Sequence, residues 1–176
     1  MTSRRPARWI ATAVLAVSAL TACGSSDDEP TIKPTSDAPT ASAASDPDGY
    51  TAEQRAVVDV VQAYNQAGFG SGDLPISTAI ADLATPEVLD AVKSAGDDAR
   101  YSGVPSLTIS TVTVSGDTAT VKGCRDGSRV FTLKKGQAQP GVGSKPVGVT
   151  DLTIGLERMD DRWVISDPRG EQVEKC

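Results

Sequence analysis

The chain has 176 residues, 17 lysines and arginines against 23 aspartates and glutamates, and no histidine. Without histidine it lacks the commonest general base at neutral pH, His-dependent nucleophile triads, and the usual zinc and non-haem iron ligand sets. Three of the basic residues fall before position 23, so the remainder holds fourteen basic and 23 acidic residues, a net charge of −9 that repels nucleic-acid phosphates and anionic headgroups.

At the N-terminus Arg4, Arg5 and Arg8 precede an apolar run from Trp9 to Leu20, and two small residues then lead to Cys23, the layout of a secretory signal. The run is too short for a spanning helix, which needs roughly 20 predominantly apolar residues. Ser3-Arg4-Arg5 leaves a twin-arginine export route open beside the general one, although Pro6-Ala7 follows where a bulky apolar pair belongs. Leu20-Thr21-Ala22-Cys23 resembles a bacterial lipobox. That resemblance implies that residues 1–22 are a signal peptide and that the sulfur of Cys23 carries a diacylglycerol. The expected address is the extracytoplasmic face of the cell membrane. Two acyl chains, at ~0.8 kcal/mol per buried methylene, hold a protein there without help from surface charge.

Residues 23–49 consist of the lipidated cysteine and a stretch rich in Ser, Thr, Pro, Asp, Ala and Gly, with Ile32 its only large aliphatic residue. Such a segment cannot bury enough apolar surface to fold and is expected to be a tether, roughly 28 Å in r.m.s. reach as a flexible coil. A plain spacer and an O-glycosylated one are equally compatible with its composition. With Cys23 assigned to lipid, Cys124 and Cys176 remain, and an even pair in an exported chain is expected to form a disulfide.

Residues 50–176 are long enough for one core. Thr51-Ala52-Glu53-Gln54 matches a capping box and predicts a helix start. Val57, Val58, Val61 and Tyr64 share its apolar face until Gly68 and Gly70 stop it. Ile76, Ile80 and Leu83 predict a short second helix after Pro75, and Thr85-Pro86-Glu87 a third whose Val88, Leu89 and Val92 face inward. Beyond Gly103 the period becomes two. Leu107 and Ile109 are out of phase with Val112 and Val114, which predicts a bulge near Ser110-Thr111. Strands are then expected at Thr118 to Cys124, Ser128 to Leu133, Val149 to Leu156 and Arg162 to Ser166. Asp126-Gly127 is read as a tight hairpin closing a three-stranded meander, and Asp160-Asp161 as the last turn.

This order of elements, Gly116-Asp117-Thr118-Ala119-Thr120-Val121 as a hairpin entry, and Leu156 to Ile165 with Trp163 in the final strand resemble the NTF2-like (ketosteroid isomerase-like) superfamily. With the lipobox, the tether and Val121-Lys122-Gly123-Cys124, the chain resembles an actinobacterial NTF2-like lipoprotein of unassigned function. The resemblance implies an α+β cone of three N-terminal helices on a curved antiparallel sheet of about five strands. It licenses no reaction, because enzymes and non-catalytic binding modules share that fold.

The residues available for chemistry are few. Asp59 lies off the apolar helix face, Asp82 on the polar side of the second helix, and Asp97-Asp98 and Asp160-Asp161 lack the alternating oxygen ligands of a calcium loop, so no metal and no cofactor are expected. Tyr64, Tyr101 and Trp163 are the candidate pocket residues, with core packing the competing role for Trp163. The expected function is a non-enzymatic binding module for an envelope protein or a small apolar ligand. The first alternative is an enzyme using an inward Asp or Glu with Tyr64 or Tyr101, and the second a lipid carrier. No nucleic-acid partner is expected. A sheet face bearing Thr118, Thr120 and Lys122 points to a monomer.

Overall fold

A computed structural model describes residues 48–176. The signal segment, Cys23 and all but the last two residues of the expected tether lie outside the described residues.

Helix α1 spans Ala52–Gly70, and the capping box forms as expected: Thr51 Oγ1 accepts from the Gln54 amide at 3.2 Å, and the Gln54 side chain accepts from the Thr51 amide at 3.0 Å. Val57, Val58 and Val61 are buried on its inner face. Two polar side chains fasten it to the sheet: Gln54 Nε2 donates to the Val112 carbonyl (3.1 Å), and buried Asn65 donates to the Pro105 carbonyl (3.0 Å). Helix α2 is one turn, Ile76–Ala79, and α3 runs Pro86–Gly96 with proline in its first turn. Asp97 ties the two together, accepting from the Ser77 amide at 2.6 Å and its hydroxyl at 2.5 Å, which holds the carboxyl below its ordinary pKa.

Five strands follow: β1 Arg100–Tyr101, β2 Ser106–Ser115, β3 Thr118–Leu133, β4 Pro146–Met159 and β5 Arg162–Val173. All pairings between them are antiparallel. β3 pairs with β4, and β4 with β5; the other edge of β3 takes β2 along its first half and β1 at its far end. The bulge falls between Ile109 and Thr111, and by inserting Ser110 it returns Val112 and Val114 to the same inner face as Leu107 and Ile109. Asp160 and Asp161 occupy the left-handed region, φ 48° and 63°, as a two-residue turn linking β4 to β5 requires.

One sequence expectation fails. Asp126-Gly127 does not turn, and residues 118–133 form a single bent strand in place of two. Gly127 is instead a point of close approach: it pairs with Gly148, and a Cβ on it would lie 2.8 Å from the Val147 Cβ. The meander expected to turn at Asp126-Gly127 is therefore replaced by one running β2-β3-β4-β5, and the fifth strand is the short β1. β5 also runs past Ser166 to Val173, through a register shift opposite Gly155 and Leu156.

The helices lie across the inner face of this curved sheet, giving the expected α+β cone. Val57, Val61, Ile80, Val121, Leu156 and Ile165 are at its centre. Ile165 also joins the layers by backbone: its carbonyl accepts from Thr85 N at 2.9 Å, and its amide donates to Leu83 O at 2.8 Å. Cys124 and Cys176 are joined in a disulfide with Cα atoms 6.0 Å apart. Closing a loop of 52 residues contributes about 4 kcal/mol in the chain-entropy account.

Candidate functional site

Alternation along β3 directs Ala119, Val121, Gly123, Arg125 and Gly127 to one side of the strand. Ala119 and Val121 belong to the core, and Gly123 contributes no side chain. Arg125 therefore stands on the inner face just beyond the core. Leu107 of β2 and Thr150 of β4 flank it in register, and Thr150 Oγ1 accepts from Gln172 at 3.2 Å.

Between this guanidinium and the core is a cavity of about 220 Å³. Its helical wall is Val61, Tyr64 and Asn65, its sheet wall Leu107, Arg125, Leu152 and Ile154, and its rim Pro168, Arg169 and Gly170. Gly170 helps keep the space open, since a Cβ there would lie 2.7 Å from Thr150 Cγ2. The walls are apolar apart from Tyr64, Asn65 and the two arginines.

The arginines differ in their partners. Arg169 at the rim grips Asp167 with both arms of its guanidinium, at 2.9 and 2.7 Å. Arg125 pairs with no carboxylate among the described residues, and its buried Nε has no hydrogen-bond partner. Its guanidinium lies over the Phe69 ring, 4.8 Å from the centroid, and Phe69 packs against Tyr101 at 4.6 Å. Burial depresses the pKa of Arg125, partly offset by Tyr101 and Tyr64. Burial likewise raises both tyrosines, with Arg125 pulling the other way. A guanidinium remains charged through such shifts, and both hydroxyls remain protonated at neutral pH.

Of the three pocket residues expected from sequence, Tyr64 lines this cavity and Tyr101 stands behind it through Phe69 and Arg125. Trp163 is elsewhere. It is 5% exposed in the core, beneath Arg158, whose guanidinium lies 4.5 Å from its ring centroid. Arg158 also pairs with Glu53 and, at 3.6 Å, with Asp117.

No described carboxylate is buried, and none lines the cavity. Asp59 and Asp82 are exposed, Asp97 is engaged by Ser77, and Asp160 and Asp161 form their turn. Among the described residues no group of three or more His, Cys, Asp or Glu side chains could hold a metal ion. Arg125, Phe69 and Asn65 were not expected at the site. The signal for Arg125 was the alternation from Ala119 to Gly127, which the Asp-Gly dipeptide obscured.

No family model and no curated relative matches the sequence. Solved structures do resemble it. The intermembrane-space region of the chloroplast protein ARC6 aligns with a TM-score of 0.51 at 13% identity, over 68% of this chain and 97% of that one. An NTF2-like protein of unknown function from Shewanella oneidensis aligns with a TM-score of 0.39 at 18% identity, over 65% and 99%. An NTF2-like protein with a cystatin-like fold from Novosphingobium aromaticivorans gives 0.43 at 18% identity, over 69% and 83%. At such identities the likeness concerns fold alone, and the fold of this chain is an α+β cone of helices on a curved antiparallel sheet.

Proposed function

We propose that this protein is a lipid-anchored, extracytoplasmic binding module whose cone takes a small, largely apolar ligand. The observation that carries this reading is the cavity between α1 and the sheet, walled by Val61, Leu107, Leu152 and Ile154 and open at a rim of Pro168 to Gly170. Concave apolar sites with a few convergent polar groups are where small molecules bind. Acid–base catalysis on a hydrophobic substrate draws no support from the same cavity, because the Asp or Glu it needs does not line it. A two-chain lipid is far too large for about 220 Å³, since even drug-sized ligands occupy pockets of roughly 300–1,000 Å³. The anchor rests on the lipobox resemblance ending in Cys23.

Two measurements test the two halves. Labelled palmitate should enter the chain and fractionate with membranes, and Cys23→Ser should abolish both; label retained in that variant rules out the anchor. Native mass spectrometry of protein extracted from its own envelope should show a small-molecule adduct that denaturation releases. A bare polypeptide mass under the gentlest extraction, together with no binding of the probes named below, overturns the cavity reading.

A further inference from the structure

Resting on that reading of the cavity, we infer that its ligand is a small apolar monocarboxylate, clamped by Arg125 of the cavity's sheet wall. A cation removed from water is ordinarily matched by a carboxylate, because an unpaired one is costly. Even the more exposed arginines Arg55, Arg100, Arg158 and Arg169 have carboxylate partners, in Asp48, Asp73, Glu53 and Asp167. Arg125 has no carboxylate partner among the described residues, and its Nε is without a hydrogen-bond partner. The residue lines a cavity whose walls are apolar apart from Tyr64, Asn65 and the two arginines. A carboxylate entering that cavity would meet the guanidinium as its counter-ion.

The planar guanidinium fork matches a carboxylate geometrically, with two parallel N–H to O bonds. Phe69 lies against the guanidinium, its ring centroid 4.8 Å away. Tyr64, whose hydroxyl is a donor at neutral pH, lines the same cavity. The volume limits the remainder of the ligand to about one ring or a short branched chain. A free phosphate fits less well: one guanidinium and a phenol leave most of its oxygens facing Val61, Leu152 and Ile154. The acidic surface discourages anions generally, so binding depends on burial of the apolar tail along with the head.

The test uses the chain from residue 23 with Cys23→Ser, so that neither lipid nor detergent competes, and calorimetric titration with benzoate, benzyl alcohol and inorganic phosphate. Benzoate should bind at least about tenfold tighter than benzyl alcohol, and phosphate should not compete with it. Arg125→Met should bring benzoate down to the level of the alcohol, and Arg125→Lys should restore part of the difference. Equal binding of benzoate and alcohol, or an Arg125→Met variant that still prefers benzoate, overturns the clamp and leaves the cavity as a neutral apolar site. Phosphate binding as well as benzoate overturns the monocarboxylate assignment. If no probe binds, the cargo seen by native mass spectrometry decides. A neutral cargo overturns the clamp alone, an apolar acid supports it, and no cargo removes both the clamp and the cavity reading.

Discussion

Arg125→Met replaces a half-buried guanidinium with an uncharged side chain of similar reach, and in the absence of ligand it should stabilise the domain. Nε of Arg125 is buried without an acceptor, and an unsatisfied buried polar group costs about 1–3 kcal/mol. Against this, the guanidinium over Phe69 at 4.8 Å contributes about 0.5–1 kcal/mol of cation–π attraction at a partly exposed site. The methionine stem retains much of the packing on Leu107 and Phe69, and its sulfur suits an aromatic edge. The balance is a gain of about 1 kcal/mol, or a rise in Tm of about 4 °C for a domain of this size. Urea unfolding followed by circular dichroism measures it: the midpoint should rise while the slope stays fixed, since the surface exposed on unfolding is nearly the same. A loss of 1 kcal/mol or more would refute the reasoning, because it would mean that the guanidinium is satisfied in the unliganded protein. A residue that lowers stability while it awaits a partner is what a binding site tolerates and a core does not.

Gly123→Ala should cost about 2 kcal/mol or more, since its Cβ would sit 2.5 Å from the Thr108 carbonyl oxygen and 3.2 Å from Ile109 Cα, backbone atoms that cannot rotate away; a urea midpoint equal to wild type would show that β2 yields freely there. Asp97→Asn tests a linkage with a definite sign. Ser77 holds the folded-state pKa of Asp97 below its unfolded value, so the contribution of the carboxylate is full above the unfolded pKa, about 3.9, and is lost as pH falls through the lower folded value. The stability gap between wild type and Asp97→Asn should therefore be constant from pH 7 to 5 and narrow below about 4; a gap that stays constant to pH 2.5 contradicts it.

Local signals in the sequence proved readable where a single short-range interaction decides the geometry. The Thr51 and Gln54 capping pair, the phase change that demands a bulge at Ser110, and the Asp160-Asp161 turn are each settled within a few residues. Asp126-Gly127 does not turn, because a dipeptide suited to a hairpin is also one that lets strands approach closely. Pairing of Gly127 with Gly148 on β4 outweighs its turn preference. Arg125 thereby continues the alternation of β3 onto the inner face, where a strand ending at Cys124 would leave it in a turn. The gathering of Tyr64, Phe69, Tyr101 and Arg125 joins residues up to 61 positions apart. No periodicity within one element could have predicted it. Asn65 was hidden for a related reason: its partner is the Pro105 carbonyl, 40 residues away in the loop before β2.

The bond between Cys124 and Cys176 carries a mechanical consequence. β5 pairs on one side only, with β4, and its other edge is open except for the bridge at Ile165. Such a border strand is where a sheet ordinarily begins to fray and where it can recruit a strand from a neighbouring molecule. Here the chain passes beyond β5, crosses the outer face of β4, where the Cys176 sulfur lies 4.0 Å from the Thr150 carbonyl, and is bolted to β3. Unzipping from the free end would have to drag the central strand with it. Pro168, which pairs opposite Ile154, removes a donor from the same border. The edge is thus latched at its terminus and blunted in its middle, and tension applied at the C-terminus is carried into the interior of the sheet.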